Sequence, residues 1–194
     1  MAPKAKGLTF HPLTPKRWRD FETLFGLNGA CAGCWCIFWR LGPEERFRDV
    51  KGAKAKRRMK QLVDQGAAKG LLAYAGKQAV GWLTYGPRRS FSKLDRAPSL
   101  KCDDADRVGS LPCFFIHKDW RGRGVATQLV KHALPLLKKE RVEVAEGYPL
   151  RPPRKGERIA AAFAYTGTVE MFQKHGFEPA DSRPKGKLRM RKEL

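Results

Sequence analysis

The sequence has 194 residues, of which 42% are hydrophobic and 30% are charged. These values are typical of a folded globular domain and exclude a disordered chain. Lysine and arginine number 40 against 19 acidic residues, a formal net charge of +21, which favours polyanionic ligands such as nucleic acid or phosphorylated molecules. No apolar run approaches the roughly 20 residues that cross a bilayer, so we expect no membrane partner.

Five cysteines, an odd number, favour a reducing compartment, and we therefore expect a cytoplasmic protein. Three of them lie together in C-A-G-C-W-C, at Cys31, Cys34 and Cys36. Structural zinc takes four ligands, and neither Cys102 nor His117 stands at a usual ligand spacing from this cluster. We therefore expect no metal. A cysteine nucleophile is a further alternative, and a small-residue lining beneath aromatic side chains is the simplest interpretation.

Strand-like and helix-like segments alternate along the first half of the chain. We predict strands over residues 8–11, 71–75 and 78–85 and helices over 15–25 and 53–65. Thr14 is expected to cap the first helix, and Gly76-Lys77 suits a type II′ hairpin turn. Residues 28–42 have no period but hold cysteines and aromatic side chains, which is unusual for a surface loop. Residues 88–110 are polar and aperiodic, so we predict a long surface loop.

The second half continues the alternation. We predict strands over residues 111–117, 141–148 and 187–192 and helices over 122–139 and 166–175. Pro135 conflicts with the first of these helices and predicts a kink or an early end. The element order is β-α-α-β-β-β-α-β-α-β, which predicts an α/β fold with a central mixed sheet covered by helices. We expect one domain over residues 1–194, with 1–6 as a basic N-terminal extension.

The most informative segment is F-F-I-H-K-D-W-R-G-R-G-V-A, residues 114–126, where an apolar strand runs into a glycine-rich turn that opens a helix. The first N–H groups of a helix have no partner inside it, and the helix dipole adds partial positive charge there. Gly122 and Gly124 lack Cβ atoms, so an anion can approach the main chain, and Arg121 and Arg123 add positive charge. The segment therefore predicts a phosphate or pyrophosphate site. The patterns G-x-G-x-x-G and G-x-x-x-x-G-K-S/T are absent, which argues against a Rossmann dinucleotide site and a Walker loop.

The turn R-G-R-G-V-A resembles the acetyl-CoA signature of the GNAT acetyltransferase superfamily, Arg/Gln-x-x-Gly-x-Gly/Ala, here Arg121, Gly124 and Ala126. A later helix of that family ends in an aromatic residue, three further residues and Gly-Phe, as Phe172 and Gly176-Phe177 do here. The order of strands and helices also matches. The resemblance covers about residues 8–192, and its specific motifs lie between residues 114 and 177.

The resemblance implies a fold in which two neighbouring strands splay apart and acetyl-CoA serves as co-substrate. The pantetheine arm pairs with the exposed edge of the first of these strands, residues 113–117 here, and the pyrophosphate lies on the N–H groups of residues 121–126. The residues expected to bind acetyl-CoA are Phe115, Ile116, Arg121, Gly122, Arg123, Gly124, Val125, Ala126, Thr168 and Phe172.

Acetyl transfer to an amine needs an acceptor that loses a proton and a thiolate that gains one. Many family members place a tyrosine as the acid where this chain has Phe172, which carries no proton to donate. Tyr148 and Tyr165 are the alternative acids, and solvent can serve instead. Glu146 is the favoured base, with His117 as the alternative. Substitution of tyrosine for Phe172 is expected to be tolerated.

In this fold the segment after the first helix borders the acceptor site, which implies a partly hydrophobic acceptor pocket lined by Cys34, Trp35, Cys36 and Trp39. The sequence thus favours an N-acetyltransferase in which a small-molecule or peptide amine attacks acetyl-CoA directly in a ternary complex. One alternative is a basic nucleic-acid- or ribosome-associated binding protein, and another is a related domain that has lost catalysis. Since no RNA-binding motif or zinc-finger spacing is present, we expect nucleic acid to bind only non-specifically. A homodimer is left open.

Overall fold

The computed structural model describes residues 5–151, 164–180 and 187–194. Within them, strands form one sheet in the order β1-β2-β3-β4-β5-β7-β6, antiparallel except for the parallel pair β4 and β5. The strands are β1 (Leu8–Pro12), β2 (Gly70–Ala75), β3 (Gln78–Pro87), β4 (Val108–Ile116), β5 (Val144–Gly147), β6 (Glu178–Pro179) and β7 (Met190–Glu193). The helices are α1 (Trp18–Phe25), α2 (Phe47–Val50), α3 (Ala53–Asp64), α4 (Lys93–Arg96), α5 (Val125–Lys138) and α6 (Val169–Gln173). The predicted mixed α/β architecture is confirmed.

Apolar side chains bury both faces of the sheet. One face packs against α5, whose buried residues recur at helical spacing, namely Val125, Leu129, Val130, Ala133 and Leu137. The opposite face packs against α1 and α3 and is rich in aromatic rings, among them Trp18, Phe21, Phe25, Trp35 and Trp82. Since each helix presents one apolar stripe to the sheet, the two layers follow from the periodicity of the sequence.

Local signals were interpreted correctly at some points and wrongly at others. Gly76 has a φ of +57° while Lys77 stays out of the left-handed region, as in the type II′ turn expected between β2 and β3. Thr14 does not cap α1, because a short 3-10 turn at residues 15–17 comes first and the Thr14 hydroxyl has no partner within the described residues. Pro135 does not end α5. Pro135 has no N–H to donate to the carbonyl of Lys131, but both residues are exposed to solvent, so water can satisfy that carbonyl and the helix continues.

The segment over residues 88–110 is not the surface loop that its polarity predicts. It folds into short helical turns whose apolar side chains form a third buried cluster: Phe91, Leu94 and Leu100, together with Trp39 and Tyr148. The first residue of the segment, Arg88, is fully buried. The segment therefore has an apolar face that packs beside the sheet, although its composition is largely polar.

Strand β4 runs on beyond its last pair with β5, and we call this point the splay, after the feature that the resemblance implies. Val108–Leu111 of β4 pair with Val144–Gly147 of β5, and β4 then continues to Ile116 beyond the last paired residues. The predicted strand over residues 141–148 is shorter than expected, since Arg141 has a φ of +60° and β5 begins at Val144. The far half of β4 thus leaves one edge free of β5.

No helix within the described ranges is long and apolar enough to cross a membrane. The proposed N-terminal extension lies partly outside those ranges. Ala5, which lies inside them, packs against the core cluster on the α5 side and donates its N–H to Arg123 C=O at 3.0 Å. The Gln128 side-chain amide donates to Ala5 C=O at 3.1 Å, so the chain is already held to the fold at residue 5.

Candidate active site

The glycine-rich turn lies where β4 ends and α5 begins. Gly124 is the N-terminal cap of α5 with a φ of +80°, and Gly122 has a φ of +71°. A Cβ placed on either glycine would meet no atom within 4 Å, so the surface above the turn is open. The first hydrogen bond of the helix runs from Gln128 N–H to Gly124 C=O, which leaves the N–H groups of the preceding turn outside the helical ladder. The turn therefore has the geometry of an anion site.

The arginines of the turn are placed differently. Arg121 is exposed, and its Nε donates to Ile116 C=O at 3.1 Å, on the free half of β4. Arg123 is half-buried, with its guanidinium 5.3 Å from the ring centre of Trp120. Both therefore remain near the turn, where they add positive charge to its N–H groups.

Glu146 lies on β5 beside the splay, as expected, but its carboxylate is fully buried and already paired. Oε1 accepts from Arg88 at 2.6 Å, and Oε2 accepts from Arg189 at 3.1 Å and from Arg191 at 2.5 Å. Asp95 and Asp104 complete the network through Arg88 and Arg191. Both carboxylate oxygens are sealed from solvent and occupied by guanidinium donors, so neither faces an acceptor and the structure argues against Glu146 as the base.

Tyr148 is also fully buried. Its hydroxyl lies 2.5 Å from Ser110 Oγ and accepts a hydrogen bond from Arg88 at 3.0 Å. Burial, together with the Glu146 charge, raises the pKa of Tyr148 well above its usual value. The structure therefore argues against Tyr148 as the acid, because its hydroxyl is sealed in the same buried network.

His117 occupies the end of β4 next to the glycine turn. Its ring is 31% exposed, its Nδ1 lacks a hydrogen-bond partner within the described residues, and Asp119 Oδ2 lies 3.6 Å away. The residue stands six positions beyond Leu111, the last β4 residue paired with β5, which is about 20 Å along an extended strand. This location is at the phosphate end of the free edge and not at the splay, which argues against His117 as the base.

Tyr165 lies near the splay and borders a cavity of about 260 Å³. Its ring packs against the same buried cluster as Cys113. Cys113 lies on β4, two residues after Leu111, the last residue that pairs with β5. Burial raises the pKa of Tyr165 to about 12, so its hydroxyl stays protonated at neutral pH. Among the tyrosines considered from the sequence, Tyr165 is the one that faces open space.

The structure places the four residues of the predicted acceptor pocket in different environments. Trp39 lines the cavity beside Tyr165. Trp35 and Cys36 instead belong to the core between the sheet and α1, at 4% and 3% exposure, and so cannot contact an acceptor there. Cys34 is half-buried, and burial raises its pKa to about 11, which makes it a weak nucleophile near neutral pH.

The five cysteines are free thiols. Trp82 Nε1 donates to Cys36 Sγ at 3.2 Å. A hydrogen bond from Cys113 lowers the pKa of Cys36 and raises that of Cys113. Within the residues that the structure describes, no group of three metal-binding side chains comes together.

Phe172 and Thr168, two of the residues expected to bind acetyl-CoA, have structural roles in α6. The Thr168 hydroxyl accepts from Met171 N–H at 3.3 Å and caps the helix. Phe172 is fully buried beside Phe114, so direct contact with a bound molecule is not supported. A Cβ placed on Gly147 would lie 2.2 Å from Phe172 Cζ, so the ring tip abuts β5. The expectation that tyrosine is tolerated at residue 172 stays a prediction, and this contact argues against it, because the added hydroxyl would point toward the β5 backbone.

Residues of the candidate site that the sequence analysis missed come from the segment over residues 88–110 and from the C-terminal strand region. Arg88 organises the buried network, while Lys93 and Lys187 border the cavity. One signal was present in the sequence: Phe91, Leu94, Ala97 and Leu100 recur every third residue, which is the spacing of 3-10 turns. For Lys187 no local signal exists, since its neighbours in the cavity are distant in sequence.

A family model described as the acetyltransferase (GNAT) family matches residues 23–147. A comparison with curated proteins gives no match. The matched range contains β4, the glycine turn, α5 and β5. It therefore spans the elements that build the splay and the anion site.

Solved structures with the same fold are distant in sequence. The GNAT domain of S. lividans PAT is 16% identical, with a TM-score of 0.57 over 95% of this chain and 89% of that chain. A GNAT-family acetyltransferase from Streptococcus pneumoniae is 14% identical, with a TM-score of 0.56 over 97% and 99%. The yncA protein of Salmonella typhimurium, solved with its cofactor acetyl-CoA, is 11% identical, with a TM-score of 0.56 over 96% and 94%. At these identities the likeness concerns the fold.

Proposed function

The chain belongs to the GNAT acetyltransferase family, and from this premise we propose that it is an N-acetyltransferase. In this proposal an amine attacks acetyl-CoA directly while both are bound. The observation that carries the proposal is the open glycine turn at the start of α5, placed at the end of a strand that is not paired with β5 beyond Leu111. We also propose a cytoplasmic location, a small-molecule or peptide acceptor and a homodimer.

The residues present fit acetyl-CoA. The main chain of Phe115 and Ile116 lies on the half of β4 beyond its pairing with β5, where an extended arm would pair with it and replace or share the hydrogen bond that Ile116 C=O accepts from Arg121. The N–H groups at the start of α5 and the guanidinium groups of Arg121 and Arg123 suit a pyrophosphate. Acetyl-CoA supplies a thioester carbonyl that is activated toward amines.

Tyr165 is the proposed hydrogen-bond donor of the reaction. Its hydroxyl stays protonated at neutral pH and can stabilise negative charge that develops near the splay. A full proton transfer to a thiolate is uphill for a phenol with a pKa of about 12, so we assign it stabilisation and not obligatory acid catalysis. The acceptor amine can release its proton to water that reaches the open cavity.

The proposal is tested by CoA binding and acetyl transfer together. Calorimetry should detect CoA binding, and Gly124→Glu should abolish it, because the new carboxylate faces the pyrophosphate. Gly66→Glu is the matched control: Gly66 also has a positive φ of +68° and open space at its Cβ, but it ends α3 away from the turn. Release of free thiol from acetyl-CoA with an amine panel reports the transfer. Unchanged CoA affinity in Gly124→Glu would sink the site assignment.

A further inference from the structure

The cavity beside Tyr165 has an apolar wall and a cationic rim. Phe38, Trp39 and Tyr165 supply aromatic surface, and Lys93, Arg96 and Lys187 supply positive charge. No carboxylate lies among the described lining residues. Its volume of about 260 Å³ is near the lower end for ligand pockets, which suits a small molecule or a single side chain.

Within the described part of the chain, none of the three cations forms an ion pair with a carboxylate. Lys93 Nζ lies 4.0 Å from the ring centre of Phe38. Lys187 Nζ lies 5.2 Å from the ring centre of Tyr165 and donates to Thr166 Oγ1 at 3.0 Å. The Arg96 guanidinium donates to the carbonyls of Leu41 and Pro43. Aromatic faces and neutral oxygens hold Lys93 and Lys187 in place without compensating their positive charge, whereas Arg96 lies near enough to the Glu45 carboxylate to help lower its pKa.

Burial makes this arrangement costly without an anion. It lowers the pKa of Lys187 to about 8 and also lowers the pKa of Lys93, with Arg96 adding repulsion at Lys93. Like charges around one apolar cavity disfavour a cationic occupant. An anion would stabilise the charged form of both lysines.

The cavity also adjoins the splay. Phe38, Tyr165 and Cys113 pack against one buried cluster, and Cys113 lies just beyond the last β4 residue that pairs with β5. A molecule in the cavity therefore extends toward the place where the reaction is proposed to occur.

We propose that this cavity binds the anionic, apolar part of the acceptor, so that the acceptor is an amine that also carries a carboxylate or phosphate on an aromatic or bulky apolar body. The identification of the bound molecule as the acceptor rests on the proposed function. The preference of the cavity for an anion does not depend on it. Amines without an anionic group, such as alkyl polyamines, are disfavoured by the lysine pair and Arg96.

The test compares ligands that share one ring and differ in charge. The full-length protein, saturated with CoA, is titrated calorimetrically with phenylacetate, phenyl phosphate, phenylacetamide and 2-phenylethylamine. We expect at least one anion to bind tenfold or more tightly than the neutral amide, and the amine to bind most weakly. The ratio of phenylacetate to phenyl phosphate distinguishes a carboxylate from a phosphate as the natural group.

Variants locate the binding site. Lys187→Gln and Lys93→Gln should each weaken the favoured anion about tenfold and leave the amide unchanged. Lys138→Gln, at an exposed residue in the last turn of α5, removes the same charge elsewhere and should have no effect. Circular dichroism confirms that each variant is folded.

Equal affinity for anion, amide and amine, or no measurable binding of either anion to the folded protein, would overturn the inference. Anion binding that is equally weakened by Lys138→Gln would also overturn it, because general charge would then explain the preference. CoA affinity from the same samples separates the two proposals. Loss of CoA binding contradicts the proposed function, while the anion preference is still measured in the cavity.

Discussion

Glu146 shows how a single residue can resemble a catalytic base in sequence and be structural in the fold. Its buried carboxylate holds Arg88, Arg189 and Arg191 together. Glu146→Gln leaves these buried guanidinium groups without their shared partner, so we expect the free energy of unfolding to fall by about 3–5 kcal/mol. Chemical denaturation measures this loss, and the CoA affinity of the folded variant should be unchanged.

Glu143→Gln is the control for that change. Glu143 lies three residues earlier, and its ion pair with Arg107 is exposed, so its removal should leave the unfolding midpoint where it is. A Glu146→Gln variant with normal stability and at least a hundredfold loss of turnover would instead restore Glu146 as the base.

For Tyr165, the contribution of the hydroxyl to the reaction can be measured separately from the packing of the ring. Tyr165→Phe keeps the ring against the cavity wall and removes the hydroxyl. We expect kcat for the best acceptor to fall about 100-fold while the KM for acetyl-CoA stays the same, because the hydrogen bond is made to developing charge. Steady-state kinetics with that acceptor measures both values. Wild-type kcat in this variant would remove Tyr165 from the mechanism.

At the scale of secondary-structure elements, α6 sets the separation of β4 and β5. Phe172 of α6 packs beside Phe114 of β4 at 6.1 Å between ring centres and abuts Gly147 of β5. Phe172→Tyr should lower the free energy of unfolding by about 1–3 kcal/mol, since the added hydroxyl overpacks this contact. Thermal denaturation measures the loss.

The control for Phe172→Tyr is Phe47→Tyr. Phe47 is a half-buried residue of α2 outside the splay, and the same added hydroxyl should be nearly neutral there. A Phe172→Tyr protein as stable as the wild type, with a higher rate, would show that β5 can move to admit an acid at this position.

The sequence predicts those elements whose signals are local. The glycine turn and α5 depend on backbone freedom and helical spacing within a few residues, and both lie where expected. The polar composition of residues 88–110 predicts a solvent-exposed loop, because it does not show that a charged residue such as Arg88 is buried. The apolar residues of the segment recur at every third position and form a buried cluster. The partners of Glu146 lie 43 to 58 residues away, and the sequence contains no sign of such pairings.

At the scale of the whole molecule, the charge of +21 is distributed among separate regions. Two arginines of the basic C-terminal stretch, Arg189 and Arg191, turn inward to Glu146. The basic helix α3 lies on the other side of the sheet from α5, which carries the anion site. These basic groups therefore do not all lie on the face of the sheet that carries the anion site, whereas a nucleic-acid backbone needs its cations along one face.

This distribution predicts that nucleic acid binds without selectivity. Contacts between exposed charges release counterions and weaken steeply with salt, so a DNA or RNA duplex should bind at low salt and with a Kd no tighter than about 10⁻⁴–10⁻⁶ M at physiological salt. CoA binding should also weaken, but less steeply, because CoA carries few charges and contacts the N–H groups of α5 directly. Filter binding for nucleic acid and calorimetry for CoA, across one salt series, give the two slopes. A nanomolar complex with one RNA or DNA at physiological salt would show that the basic surface serves a nucleic-acid partner, because screening over about 8 Å leaves only well-fitted contacts at that ionic strength.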